Sequence, residues 1–161
     1  NASKFDREKG RWYSVDQHTI QELSSTGNHQ ECLQASQQLL QSEPENPLAW
    51  KYKGKSLLAL GQFEKAQQCL TKSHQIDTKD PEVIKDIGNI FNALKNDSEA
   101  IRLYKAALSI DQNYAPAINN LGLISKRRTA MMLRQRFDLH RVTEGCLSPR
   151  EINPRAAHRD Y

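Results

Sequence analysis

The stretch that decides the fold is PLAWKYKGKSLLALGQFEKAQQCLTKSHQIDTKD, Pro47–Asp80. It reads as two helices joined by a turn. Asn46 precedes it as a helix cap, and Pro47 suits the first helical turn, where a missing N–H costs nothing. Trp50, Gly54 and Leu57 fall at i, i+4 and i+7, on one face of a helix. Gly54 leaves room for a second helix to approach. Gly61 supplies the backbone angles of a tight turn. Phe63, Ala66 and Leu70 then carry the chain back along the first helix.

The pattern returns at the same spacing on both sides. Downstream come Ile84, Ile87-Gly88, Phe91, Ala100, Tyr104 and Ile110-Asp111, then Ile118 and Leu121-Gly122. Upstream lie Leu23, Gly27, Cys32, Leu39 and Pro44. These residues resemble the tetratricopeptide repeat (TPR) pattern. The resemblance implies an all-α, right-handed superhelix of antiparallel helix pairs. Repeats fall at residues 13–46, 47–80 and 81–114, with the start of a fourth at 115–125. Residues 1–12 are a charged, aperiodic lead-in. A basic C-terminal helix or cap covers 126–144, and an irregular tail covers 145–161.

Composition fits a repeat stack. Of 161 residues, 37% are hydrophobic and 26% charged, enough for narrow apolar faces buried between neighbours and too little for a large core. No apolar run reaches the roughly 18–20 residues of a membrane span. No hydrophobic leader stands at the start. Three cysteines, Cys32, Cys69 and Cys146, form no close pair, which argues against a disulfide framework or a zinc site and suggests a reducing, cytoplasmic setting. Cys32 occupies the small-residue position held by Ala66 and Ala100. The net charge of +4 is unevenly spread: residues 126–161 carry 9 basic and 4 acidic side chains, and 8 of those bases are Arg.

The first repeat is degenerate, with helices expected over Val15–Ser25 and Gln30–Gln41, the second burying Cys32, Leu33, Leu39 and Leu40. The third opens on Asp80 as cap and Pro81. Its turn, Lys95-Asn96-Asp97, lacks glycine, so Asn or Asp is expected to take the left-handed conformation. The fourth unit, beginning APAINNLGLISK at Ala115, departs from the family: Thr129 stands at the turn, Arg134 at the small-residue position and Asp138 at the aromatic one. With no Gly or Pro between Gly122 and Gly145, one long helix is expected rather than a fold-back.

In the TPR family the first helix of each pair lines a concave groove. The resemblance places Gln17, Gln21, Lys51, Tyr52, Lys55, Lys85, Asp86, Asn89, Asn92, Asn119, Asn120 and Leu123 on it. Asn and Gln carry donor and acceptor together and can pair with an extended backbone; Lys supplies a point charge for a carboxylate. Co-chaperones that hold the C-terminal carboxylate of a heat-shock protein use Lys and Asn, then Asn, then Lys and Arg on successive repeats. The matching positions here hold Lys51, Lys55, Asp86, Pro116 and Asn120, and Asp86 would repel that carboxylate. The asparagine ladder of protein O-GlcNAc transferases is matched at Asn120-Leu121-Gly122, while Asp86 and Tyr52 stand at the other rungs. No phosphate-cradling loop, HExxH, GxSxG or metal-ligand spacing occurs, so no catalytic or metal residue, and no cofactor, is assigned.

The expected function is therefore a protein–protein interaction module, an adaptor or scaffold holding a protein or peptide segment in the groove. Two alternatives stand beside it. One is the recognition portion of a larger transferase, similar to an O-GlcNAc transferase. The other is self-assembly as a homodimer through the C-terminal helix, where Ala130, Leu133 and Phe137 share a face among Lys126, Arg127, Arg128, Arg134, Arg136 and Arg141. No recognised motif supports nucleic acid as the partner.

Overall fold

A computed structural model of the chain describes residues 3–6, 11–14 and 17–145. Two strands, β1 (Ser3–Asp6) and β2 (Arg11–Ser14), pair antiparallel with Ser3 opposite Ser14 and Asp6 opposite Arg11. Seven helices follow: α1 Gln17–Ser25, α2 His29–Ser42, α3 Pro47–Ala59, α4 Phe63–Ile76, α5 Pro81–Ala93, α6 Asp97–Ile110 and α7 Ala115–Gly145. The repeat body is all-α, as the spacing predicts. The hairpin is not anticipated by the aperiodic reading of residues 1–12, because four-residue strands are too short for a two-residue alternation to stand out. The irregular tail expected beyond Gly145, with Cys146, lies outside the described residues.

The chain forms two compact units, Asn1–Leu121 and Gly122–Tyr161. Within the first, side-chain caps set the starts of α3, α5 and α6. Asn46 accepts a hydrogen bond from the Ala49 N–H at 3.1 Å, Asp80 from Glu82 N–H at 2.9 Å and Asn96 from Glu99 N–H at 3.2 Å. Each such cap stabilises its helix by about 1 kcal/mol. Three first helices end in the same motif. At Gly61 (φ 74°), the Gln62 N–H bonds to the Leu57 carbonyl and the Gly61 N–H to the Leu58 carbonyl, and the pattern recurs around Gly27 and Lys95. In the third turn the left-handed residue is Lys95 (φ 62°), not Asn96 or Asp97. Asn96 is instead committed to capping α6, and Asp97 is already that helix's first residue.

The core is a chain of small clusters. Ile20, Cys32, Ala35, Leu39, Ala49 and Tyr52 form one; Leu57, Ala66, Cys69, Leu70, Val83, Ile87 and Ile90 form the next. Cys32 is buried as a small residue, whereas Leu33 and Leu40 are only half-buried at the cluster margins. Close approach depends on two glycines. A Cβ at Gly54 would stand 2.6 Å from Leu70 Cγ, and one at Gly88 would stand 2.7 Å from Tyr104 Cε1. Both neighbours are fully buried, so neither can step aside cheaply. Helix α7 is continuous through Arg127–Val142, as expected from the missing breakers. Among the described residues no helix is long and apolar enough to cross a membrane.

Candidate functional site

A polar seam runs across the first helices of successive repeats. Lys51, on α3, reaches Asp80 Oδ2 at 2.9 Å and Glu82 Oε2 at 3.0 Å, both at the start of α5. Lys55, one turn further along α3, takes the other oxygen of Glu82. On α5, Lys85 pairs with its neighbour Asp86. Asn89 forms the next node: its Nδ2 donates to Asp86 Oδ1 at 3.2 Å, and its Oδ1 accepts from Tyr104 Oη at 2.8 Å and from Asn120 Nδ2 at 2.9 Å. Asn120 lies at the start of α7 within the first unit. The Lys51 and Lys55 ammonium groups each stand 5.3 Å from the centre of the Tyr52 ring, which rewards a cation on its face.

Repeat geometry explains the pairing. A residue on one first helix meets its counterpart on the next about one helical turn before the equivalent position. Lys51 and Glu82 are 31 residues apart, and so are Asn89 and Asn120. Lys55 and Asp86 share that spacing and act on each other through charge.

The electrostatics follow from burial opposed by pairing. Burial alone would push the Glu82 carboxyl up; hydrogen bonds and charge from Lys55 and Lys51 override it and bring it from 4.5 down to about 2. Burial would lower Lys51, but Asp80 and Glu82 raise it above the ordinary lysine value. Lys55 is raised in the same way, chiefly by Glu82. Asp86 behaves differently. Burial dominates there and pushes its carboxyl up, against the opposing pull of Lys85 and Lys55. Tyr114 is pushed up to about 12, first by burial and then by the charges of Glu82, Asp86 and Asp80.

The residues singled out from sequence thus separate into groups. Lys51, Tyr52, Lys55, Lys85, Asp86, Asn89 and Asn120 belong to the connected seam. Gln17 and Gln21 are exposed on α1. Gln17 lines a cavity of about 480 Å³ with Glu43, Pro44, Glu45, Asn46, Pro47 and Leu48. Asn92 is half-buried on α5, Asn119 is exposed on α7, and Leu123 is exposed in the second unit. The lysines are not the free point charges that the sequence suggests: Lys51 is only 7% exposed, and each of the three is held by a carboxylate. Asp80, Glu82, Tyr104 and Tyr114 were missed as members of the seam. Asp80 reads as a cap, which it also is; Glu82 could have been found by testing charges 31 residues apart.

Residues 18–138 match the family described as Psidin, N-terminal TPR repeats region. The chain is 26% identical over 96 residues to cell division cycle protein 27 homolog A of Arabidopsis thaliana, covering 60% of this chain and 13% of that protein. It therefore spans a small part of that relative's length. Among solved structures, the first TPR of Spaghetti (RPAP3) bound to the HSP90 peptide SRMEEVD is similar, at a TM-score of 0.63 and 18% identity, over 70% of this chain and 90% of that one. The TPR domain of Arabidopsis OM64 aligns at 0.64 and 17%, over 69% and 92%. An O-GlcNAc transferase of Thermobaculum terrenum aligns at 0.64 and 20%, over 67% of this chain and 21% of that one. At these identities the likeness shows the fold, a TPR solenoid.

Proposed function

Because the chain belongs to the family of Psidin N-terminal TPR repeat regions, we propose that it is a protein-interaction module, an adaptor or scaffold, that holds a protein segment along its first helices. The observation that carries this reading is the seam itself. Buried polar groups and ion pairs cost desolvation that an apolar replacement would avoid, yet three consecutive first helices are joined by side chains that fix amide and charged groups in place. Such a row is a preorganised surface for an extended backbone, which presents a donor and an acceptor at each residue. Gln17, Gln21, Asn92 and Asn119, in the same unit, extend the proposed contact surface beyond the seam; Leu123 lies in the second unit.

An acidic C-terminal tail like that in the Spaghetti complex is not the ligand this reading favours. Lys51 and Lys55 are already paired with Asp80 and Glu82, and Lys85 with Asp86, so each lysine of the seam is held by a carboxylate of its own chain. The test is selection of random peptides displayed on phage against the full chain and against the double variant Asn89→Ala, Asn120→Ala. Peptides enriched on the wild type and lost on a variant that still melts cooperatively support the reading. Equal enrichment on both places binding elsewhere.

Self-assembly through α7 is a second reading. It is favoured by the exposure of Met131 (62%) and Met132 (63%), and opposed by the five cations Lys126, Arg127, Arg128, Arg134 and Arg136 on the same helix, which a second copy would face. Light scattering on the full chain separates dimer from monomer.

A further inference from the structure

Glycine weakens a helix interior, and a close approach is what accounts for it there. Gly54 and Gly88 have that reason, since a Cβ on either would strike Leu70 or Tyr104 of the following helix. Gly122 stands one repeat further on at the same place of the pattern, yet a Cβ there meets nothing within 4 Å. Gly54 and Gly88 are buried, and Gly122 is exposed. The preceding turn agrees. Ile84 is 6% exposed, whereas Ile118, at the equivalent place on α7, is 48% exposed. The opposite side of α7 is filled as in the earlier repeat: Ala117 and Ile124 are buried, like Val83 and Ile90. Thus α7 keeps the seat for a second helix, and among the described residues nothing occupies it.

The two filled seats define what fits. Leu70 and Tyr104 are each the eighth residue of their helix, and the fully buried Ala66 and Ala100 are each the fourth. Both helices carry acid in the first turn, Glu64 in α4 and Asp97 and Glu99 in α6. An antiparallel helix seated on Gly122 by its eighth residue brings its first turn beside the next turns of α7. Lys126, Thr129, Leu133 and Arg136 follow Gly122 on that face, and all four are exposed. From Gly122 to Arg136 the sequence holds no acidic residue.

We propose that the Gly122 face of α7 docks an amphipathic helix of a partner protein, with an acid in its first turn, a small residue at its fourth position and Leu or Tyr at its eighth. This surface is separate from the polar seam, and the inference does not rest on the groove reading. Two arguments select the occupant. The seat continues the series of helix pairs α3–α4 and α5–α6, so the same large side chain over glycine fits it. The cations beside it complement an acidic first turn. A second copy of α7 would set cations against cations.

The probe is acetyl-DSEAIRLYKAALSI-amide, the sequence of α6, which carries all three features. Titrated into the isotope-labelled full chain and followed by NMR, it is expected to shift the amide signals of Ile118, Gly122 and Lys126. Acetyl-DSEAIRLAKAALSI-amide, which lacks the ring, should bind about tenfold more weakly. Acetyl-KSKAIRLYKAALSI-amide should also bind more weakly, and Lys126→Glu should narrow that gap. Gly122→Leu fills the seat in open space, so it should melt no lower than wild type and bind none of the peptides. Wild-type affinity in Gly122→Leu overturns the inference, as does a probe that shifts Gly88 instead of Gly122, or shifts neither. Ile118 and Gly122 signals that move on dilution of the free chain assign the seat to a second copy. Nuclear Overhauser contacts from Gly122 to residues 146–161 in the free chain assign it to the chain's own tail. Either result also overturns the inference.

Discussion

Replacing Glu82 with Gln tests whether the seam is a coupled ionic network. Glu82 bridges two lysines of the preceding repeat, and they hold its carboxyl at about 2 instead of 4.5. A group lowered in the folded state contributes stability fully above its unfolded value, and that stability is lost as pH falls from 4.5 through about 2. A shift of that size corresponds to about 3 kcal/mol if fully realised. The Glu82 side chain is 30% exposed, so screening by solvent brings the expected contribution to roughly 1–2 kcal/mol. Urea unfolding, followed by helical circular dichroism, should find Glu82→Gln less stable than wild type by that amount at pH 7. The gap should narrow steadily below pH 4.5 as the wild type loses its own advantage. Equal stability at pH 7, or a gap that ignores pH, would refute the reasoning.

Other expectations can be checked on the same footing. Gly88→Ala drives a Cβ into the buried Tyr104 ring and should cost about 1–3 kcal/mol in urea unfolding. Lys95→Gly relieves a left-handed lysine and should raise stability by about 0.5–1 kcal/mol, measured the same way. Tyr114 should ionise near pH 12 in an ultraviolet titration, and Asp86→Asn should bring that midpoint down by removing one of three opposing charges.

Much of the fold is legible because the repeat tests each residue more than once. Gly54 and Gly88 stand at equivalent places, and each meets a fully buried side chain of its partner helix, Leu70 or Tyr104. Asn46 and Asp80 read as caps, and both act as caps. The turn at Lys95 was misjudged because residue preference weighed against the position. Capping α6 employs Asn96, and the motif's left-handed place falls one residue earlier. The hairpin left no periodic trace in strands of four residues. At the site, single-residue reasoning found the lysines and asparagines but not their partners. Asp80, the cap of α5, and Glu82, in its first turn, lie 29 and 31 positions from Lys51, beyond the range of local pattern. Their presence turns a surface that reads as basic into a neutralised one.

The central claim is that partner segments bind along the first helices. The most direct test is chemical-shift mapping on the full chain with a peptide taken from the phage selection. The account predicts shifts concentrated on α3, α5 and the start of α7, including Asn89 and Asn120, with α4 and α6 largely silent. Shifts centred on α4 and α6, with the seam unmoved, would contradict it.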